Sequence, residues 1–290
     1  MSRLHLICLH LLGALVLGQI SNANAQVRTP ASEVFVTPAE AAILVENGAA
    51  FLDARSLEQY SSSHPAGAVH VDWQWFSDPA ELGRLNDDLG ELASRFRTLG
   101  VGFGPVVLIG DWDSGWGEEG RLFWTLEALG HSDAHIVAGG FGGWTSDGLP
   151  VHQQVEHAEP GDFSPRLDPD VVADLSRVED WVANSNGQLI DVRSAAEFEG
   201  ATPYGEARGG HIPGAQNVAW SRFFEGGELV GASTVVGFFG EARDTPITLY
   251  CTGGVRSAFV YAVLRSLGYE DVRNYAGSWW EYAASEPSAD

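Results

Sequence analysis

Lysine is absent from this chain of 290 residues, so all 16 residues counted as lysine or arginine are arginine. Aspartate and glutamate number 39, which gives a formal charge of -23. Runs of basic residues are also missing, which argues against binding to a nucleic-acid backbone because its phosphates would be repelled. An acidic, lysine-free surface is typical of proteins kept soluble at high salt, but a GC-rich genome also replaces lysine by arginine. Both explanations stay open.

Long apolar runs are missing after residue 25. The one run at the start follows Arg3, covers residues 4–20 and leads into Ala23-Asn24-Ala25, a small-x-small pattern. This arrangement predicts a signal peptide over residues 1–25, and hence a periplasmic or secreted mature protein without membrane contact. A membrane anchor is the alternative, but the run is short and contains two histidines and a glutamine.

Cysteine is scarce, because the chain has only Cys8 and Cys251. Cys8 lies in the predicted signal peptide, so the mature protein would hold one thiol. A single thiol cannot form an internal disulfide. In an oxidising compartment Cys251 is then either a small buried hydrophobe or a thiol kept for its chemistry.

The chain does contain an internal repeat, and its length also favours two domains. The matching segments are 51–55 with 189–193, 64–68 with 211–215, 128–131 with 266–269, and 139–141 with 277–279. The first and last pairs share an offset of 138 residues. We therefore expect one domain over residues 26–150 and a second over 171–290. The segment 151–170, with its prolines and a glycine, is predicted to be a linker.

Each copy alternates predicted strands with predicted helices. In the second copy, residues 188–192 and 246–250 are short apolar strands, and residues 257–267 form a helix that is apolar almost all round and ends at Gly268. This alternation predicts an α/β fold, with a mostly parallel sheet in each domain covered by helices on both faces. Ligand sites in such sheets lie at the carboxyl ends of the strands.

Cys251 is placed at such a strand end. The residues that follow it are Thr252, Gly253, Gly254, Val255, Arg256 and Ser257. The paired glycines let successive N–H groups point at one spot at a helix N-terminus, which makes an anion-binding nest. These N–H dipoles and Arg256 should lower the pKa of the thiol. The alternative is a buried structural cysteine followed by a tight turn.

Four segments together resemble the tandem-domain rhodanese sulfurtransferases. They are Asp191 with Arg193, residues 210–215, the loop 251–256 and residues 275–280. The resemblance covers residues 38–282 and implies two rhodanese-like domains, of which the first is inactive. Here the strand 106–110 ends at Asp111 where its partner ends at Cys251, so we expect the first domain to wall the pocket of the second.

The resemblance also implies that the Cys251 thiolate takes a sulfane sulfur from a donor as a persulfide and passes it to cyanide or a thiol. Loop amides from Thr252 to Arg256 would stabilise the persulfide. Arg256 and Arg193 are candidates for binding an oxyanionic donor, although Arg193 could instead pair with Asp191 or Glu197. Asp191 and Ser257 are expected to support the loop. Trp279 and Trp280 either line the pocket or pack in the core.

Two donors fit the loop. Gly253 stands where mercaptopyruvate-using members have serine, and residues 252 and 253 lack the basic character common in thiosulfate-using members. The Arg256-Ser257 ending resembles thiosulfate-using rhodaneses, so we expect thiosulfate, with 3-mercaptopyruvate as the alternative. A persulfide carrier without enzymatic turnover is the third possibility.

Other site classes are disfavoured. Phosphatases of the same fold have a Cys-x5-Arg loop, whereas here the spacing is Cys251-x4-Arg256, a smaller cradle. A metal site on His131 with His135, or on His152 with His157, lacks clustered thiolates. We therefore expect a monomer that needs no metal or other cofactor and uses small-molecule donors and acceptors.

Overall fold

The computed structural model of this protein describes residues 28–78, 80 and 83–285. The predicted signal peptide, and Cys8 within it, lie outside the described residues. Over the described ranges, no helix has both the length and the apolar character needed to cross a membrane.

The first half of the described chain forms a five-stranded parallel sheet, in the order β1-β6-β5-β2-β4, with helices around it. A small antiparallel pair, β3 with β7, lies beside it. The strands are β1 (Phe35–Val36), β2 (Ala50–Asp53), β3 (His64–Pro65), β4 (Val69–His70), β5 (Val106–Ile109), β6 (Ala134–Val137) and β7 (Val151–His152). The helices are α1 (Pro38–Glu46), α2 (Leu57–Ser62), α3 (Leu89–Thr98), α4 (Glu118–Ala128) and α5 (Gly140–Ser146), with 3-10 turns at Ala31–Glu33 and Trp73–Phe76.

The second half repeats this architecture, with the strand order β8-β14-β13-β9-β10. Its strands are β8 (Val172–Ala173), β9 (Gln188–Asp191), β10 (Gln216–Asn217), the hairpin β11 (Phe224–Glu225) and β12 (Glu228–Leu229), β13 (Ile247–Tyr250) and β14 (Val272–Tyr275). Its helices are α6 (Leu175–Asn184), α7 (Ala195–Phe198), α8 (Ala232–Phe239), α9 (Val255–Ser266) and α10 (Ser278–Ala284), with a 3-10 turn at Trp220–Phe223. The predicted α/β fold of two tandem domains is confirmed.

The register of the two sheets identifies the residue that replaces the cysteine in the first domain. Asp53 of β2 lies opposite Ile109 of β5, as Asp191 of β9 lies opposite Tyr250 of β13. The residue after Ile109, which is Gly110, is therefore equivalent to Cys251. The sequence-based assignment to Asp111 was wrong by one residue, because the loop after β5 is longer and hides the alignment.

Residues 151–170, predicted as a linker, run along the first domain. The segment begins with β7, which pairs with β3. Phe163 is buried in the core, and its N–H donates to the carbonyl of Val101. The Asp168 N–H donates to the carbonyl of Ala128 at the end of α4. The segment is thus held by buried contacts and backbone hydrogen bonds along its length.

The two domains meet where α4 packs against α9. A Cβ atom on Gly120 would lie 2.4 Å from the Cα of Phe259, so only glycine permits this approach. At the far end of the contact, the Glu127 carboxylate accepts hydrogen bonds from the Tyr261 hydroxyl at 2.6 Å and from Arg265 Nε at 3.4 Å. One hydrophobic cluster includes buried residues of both helices, so the domains share a core.

Candidate active site

Cys251 lies directly after β13, whose four residues are all buried as expected for a central parallel strand. The N–H of Gly254 donates to Cys251 Sγ at 3.1 Å, and the Ser257 hydroxyl oxygen lies 3.6 Å from the same sulfur. Gly254 is the N-cap of α9 and has a φ of 79°, a conformation that favours glycine. The structure therefore places the sulfur at a helix N-terminus, with a backbone donor directed at it and a hydroxyl nearby.

The pKa of the Cys251 thiol is lowered from its ordinary value. Burial alone would raise this pKa, because it disfavours the thiolate. The charge of Arg256 and the hydrogen bonds from Ser257 and the Gly253 backbone outweigh burial. The site thus favours the nucleophilic form of the sulfur.

The cysteine loop is anchored by the start of α10. The Cys251 N–H donates to the Ser278 hydroxyl at 3.1 Å, and the N–H groups of Trp279 and Trp280 donate to the carbonyls of Cys251 and Thr252. Ser278 has a φ of 53°, which is unfavourable for a residue with a side chain. These three bonds hold the residue in that conformation and fix the loop against α10.

Arg256 is paired with Glu197 at the edge of the pocket. Its Nη1 and Nη2 atoms donate to the two Glu197 carboxylate oxygens at 2.9 and 2.7 Å, and Nη2 also donates to the Thr252 hydroxyl at 2.6 Å. Burial would raise the pKa of Glu197, but the bonds and charge of Arg256 dominate and lower it to about 2. The sequence pattern suggested Glu197 only as a partner of Arg193. The cation expected to bind a donor is thus already paired with a carboxylate.

Arg193 forms a buried ion pair with Asp191. Its Nη2 donates to Asp191 Oδ2 at 2.7 Å and to the carbonyl of Gly210 at 2.7 Å, and both charged side chains are fully buried. Arg193 does not line the cavity at Cys251. Arg193 thus forms the ion pair with Asp191 that was the alternative to donor binding. The prediction that Arg193 binds the donor is corrected.

The sequence carried a signal for this structural role. The same Asp-x-Arg pattern occurs in the domain without a cysteine, where Arg55 pairs with Asp53 and donates to the carbonyl of Ser63. A pair that is present in both copies is explained by the fold they share rather than by sulfur chemistry.

A cavity of about 170 Å³ opens at Cys251. The cysteine loop forms its floor, and the walls are Trp73, Trp116, Glu118, Tyr204 and Trp280. The first three wall residues come from the first domain. The sequence pattern gave no indication of their roles or of that of Tyr204, since all four residues lie far from residue 251 along the chain. The abundance of tryptophan, ten residues, was the only hint.

The two adjacent tryptophans of α10 have different environments. Trp280 lines the cavity, and a Cβ atom on Gly253 would lie 2.3 Å from its ring. Trp279 is buried in the core of the second domain, and its ring N–H donates to the carbonyl of Arg208. Of the two alternatives, lining the pocket therefore applies to Trp280, and packing in the core applies to Trp279.

The histidines weighed as metal ligands do not converge. His135 contacts Asp133 Oδ1 at 2.9 Å and the carbonyl of Glu33 at 2.7 Å. Among the described residues, the ligand atoms that lie within 4.8 Å of one another belong to Glu33, Asp133 and His135, and His131 is not in this group. His131 Nδ1 instead accepts the Asp133 N–H.

The sequence of this chain is similar to those of known proteins with rhodanese-like domains. The family profile for the rhodanese-like domain matches residues 37–147 and 174–285. The chain is 32% identical over 241 residues to the sulfur carrier protein TtuD of Thermus thermophilus, covering 77% of this chain and 83% of that protein. It is 30% identical to the 3-mercaptopyruvate sulfurtransferase of Escherichia coli K12, over 80% of this chain and 84% of that protein. A thiosulfate sulfurtransferase of Pseudomonas aeruginosa is 29% identical, over 80% and 86% of the two chains.

A solved structure shows the same fold. The crystal structure of SseA from Escherichia coli, described as a 3-mercaptopyruvate sulfotransferase with the rhodanese fold, matches with a TM-score of 0.75 at 27% identity. The match covers 85% of this chain and 99% of that chain. With a rhodanese-like domain in each half, the chain belongs to the rhodanese family of sulfurtransferases.

Proposed function

We propose that this protein is a thiosulfate sulfurtransferase that acts through a persulfide on Cys251 and works in the periplasm or outside the cell. The observation that carries the proposal is the environment of the sulfur. Cys251 Sγ accepts the Gly254 N–H at 3.1 Å at the floor of a cavity, and its pKa is lowered. These are the features that make a thiolate reactive rather than inert.

The reaction follows from this placement. The Cys251 thiolate attacks the outer sulfur of thiosulfate, a Cys–S–S⁻ bond forms, and the S–S bond of the donor breaks to release sulfite. The acceptor, for example cyanide, then attacks the outer persulfide sulfur and leaves as thiocyanate, which regenerates the thiolate. The N–H of Gly254 donates to the Cys251 sulfur and helps hold the negative charge of the thiolate.

The shape of the loop supports thiosulfate over 3-mercaptopyruvate. Rhodanese-family members that use mercaptopyruvate typically have serine at the position of Gly253. Here the Trp280 ring occupies the space that such a side chain would need. A small donor that requires no hydroxyl at this position fits the cavity better.

Initial rates with thiosulfate and with 3-mercaptopyruvate, each with cyanide as acceptor, test the proposal. We expect thiosulfate to be preferred, and the intact mass after donor alone should rise by about one sulfur atom. A Cys251→Ser variant should show neither sulfur transfer to cyanide nor the increase in mass. An unmodified mass, or full activity of Cys251→Ser, contradicts the persulfide.

The contribution of Arg256 is tested by Arg256→Ala. Loss of one charged hydrogen bond is worth about 1.5–3 kcal/mol, so kcat/KM for thiosulfate should fall by about ten- to a hundredfold. The exposed Arg222, replaced by alanine, is the matched control and should keep wild-type rates. Unchanged thiosulfate turnover in Arg256→Ala overturns the assignment of Arg256.

Relatives favour two other outcomes of the same assays. The Escherichia coli relative is a 3-mercaptopyruvate sulfurtransferase, and a tenfold or greater preference for that donor would assign this activity. The Thermus thermophilus relative is a sulfur carrier, and a single turnover without release to small acceptors would assign that role.

The proposed compartment has its own test. Protein isolated from the native host should begin at Gln26, as the small-x-small pattern before it predicts. N-terminal sequencing that finds Met1 instead contradicts export.

A further inference from the structure

One arginine of the first domain reaches the cysteine loop of the second. Arg121 lies on α4 and is fully buried at the domain interface. Its Nη2 donates to the carbonyl of Gly83 at 2.6 Å, and its Nη1 donates to the carbonyl of Gly254 at 3.3 Å. The guanidinium lies over the rings of Trp73 and Trp124, at 5.4 and 4.9 Å from their centroids.

Arg121 differs from the other buried arginines of the described chain in having no carboxylate partner. Each of the remaining four, Arg55, Arg193, Arg256 and Arg265, forms an ion pair with an aspartate or glutamate. A buried cation held only by carbonyl dipoles and ring faces is costly. Burial lowers the pKa of Arg121 to about 9, and it still carries its charge at pH 7.

Gly254 connects this cation to the sulfur. Its N–H donates to Cys251 Sγ, and its carbonyl accepts from Arg121 and from Asn274 Nδ2 at 3.1 Å. Asn274 Oδ1 in turn accepts the Ser257 hydroxyl at 2.6 Å, and the oxygen of this hydroxyl lies 3.6 Å from the sulfur. A Cβ atom on Gly254 would lie 2.6 Å from Arg121 Nη1, so the two groups are in close contact.

We propose that Arg121 of the cysteine-free domain is a positioning residue for sulfur transfer, which holds Gly254 so that its N–H reaches Cys251 and adds an unneutralised positive charge beside the thiolate. Arg256, the other cation near the sulfur, is paired with Glu197, whereas Arg121 has no carboxylate partner among the described residues, so Arg121 adds to the charge that Arg256 supplies. The first domain then contributes to the chemistry through α4 as well as through the cavity wall. The proposal rests on the proposed function only for its turnover measurement.

The test uses Arg121→Met and Arg121→Lys, each with Cys8→Ser so that only Cys251 reacts. The rate of iodoacetamide alkylation is measured against pH, and kcat/KM is measured with thiosulfate and cyanide. The other charged and titratable groups around the Cys251 thiolate are unchanged in all variants: Arg256, Tyr204, Glu118 and Glu197. Arg265→Met is the matched control, because it removes a buried arginine from the same helix contact without touching the cysteine loop.

We expect Arg121→Met to raise the alkylation midpoint by about one pH unit and to lower kcat/KM by about tenfold or more. Arg265→Met should lower stability but keep the wild-type midpoint. A folded Arg121→Met with the wild-type alkylation profile overturns the proposal.

If Arg121→Met does not fold, Arg121→Lys decides. Its single ammonium keeps the charge but lacks the two separate nitrogens with which Arg121 reaches Gly254 and Gly83, so we expect a near-normal midpoint with turnover reduced about threefold or more. Wild-type turnover in Arg121→Lys rules out positioning. A wild-type protein that turns over no donor refutes the proposed function, while the alkylation profiles still judge Arg121.

Discussion

At the scale of single residues, the pocket contains a cation that is paired with a neighbouring carboxylate. The Arg256 guanidinium is held by both oxygens of Glu197, which leaves the pocket edge with little net charge for an anionic donor. The pair keeps the guanidinium in place beside Cys251 and Thr252. The same pair weakens the electrostatic attraction of Arg256 for an anionic donor.

Glu197→Gln should release this attraction. A glutamine still completes the capping box with Ser194, so α7 should stay intact. Removing one negative charge near the donor should lower the KM for thiosulfate by about three- to tenfold. The exposed Glu199, changed to glutamine, provides the control on the same turn. Equal KM values for the two variants would show that Glu197 does not face the donor.

Gly253 gives a second prediction at this scale. Gly253→Ser introduces the serine of the mercaptopyruvate pattern, but its Cβ would lie 2.3 Å from the Trp280 ring. We expect loss of activity with both donors, because the loop must shift away from the sulfur. Gly253→Ser combined with Trp280→Ala should recover activity, measured as kcat/KM. Full activity of the single variant would show that the ring moves easily.

At the scale of secondary-structure elements, the contact of α4 with α9 depends on a missing side chain. Gly120→Ala would push a Cβ atom to 2.4 Å from the Phe259 backbone, so the helices must separate. Such overpacking costs roughly 1–3 kcal/mol in the free energy of unfolding. The control is Gly237→Ala on α8, where the space is open and alanine should stabilise the helix by about 0.5–1 kcal/mol. Urea unfolding curves measure both, and a Gly120→Ala variant as stable as wild type would contradict the close contact.

The first turn of α4 holds another unusual group. The Glu119 side chain is buried, and neither carboxylate oxygen has a well-formed hydrogen-bond partner among the described residues. A Cβ atom on Gly110, the residue equivalent to Cys251, would lie 1.9 Å from one of these oxygens. Glu119 thus fills the space of the absent cysteine. Burial raises its pKa to about 8.

This raised pKa makes stability depend on pH. The folded state prefers protonated Glu119, so the preference contributes stability that is complete below the unfolded pKa of about 4.3 and is lost as pH rises to about 8. Glu119→Gln should therefore stabilise the protein at pH 8, and the gain should shrink towards pH 5. Urea unfolding at both values, with the exposed Glu46→Gln as control, measures the difference. A gain independent of pH would mean that Glu119 does not titrate in this range.

At the scale of the whole molecule, the sequence was sufficient for the tandem fold and for the placement of Cys251 at the end of a strand. The repeat and the alternation of strands and helices determine the sheets, and the strand end places Cys251, because these are local patterns. The pairing of Arg256 with Glu197 joins residues 59 positions apart, and Tyr204 and Trp116 meet across the domain boundary. Such contacts depend on how loops pack, which no local pattern encodes.

The contact between Glu127 and Arg265 joins equivalent positions of the two domains. These residues are 138 positions apart, the same offset as the repeat, and so are Phe123 and Tyr261, whose rings lie 6.4 Å apart. Equivalent residues that meet in this way lie on a pseudo-twofold axis. In a dimer of identical domains, each would face its own copy, and two glutamates or two arginines would be buried together. Joining the copies in one chain allowed the two positions to take opposite charges, so this contact is one that neither half could form with itself.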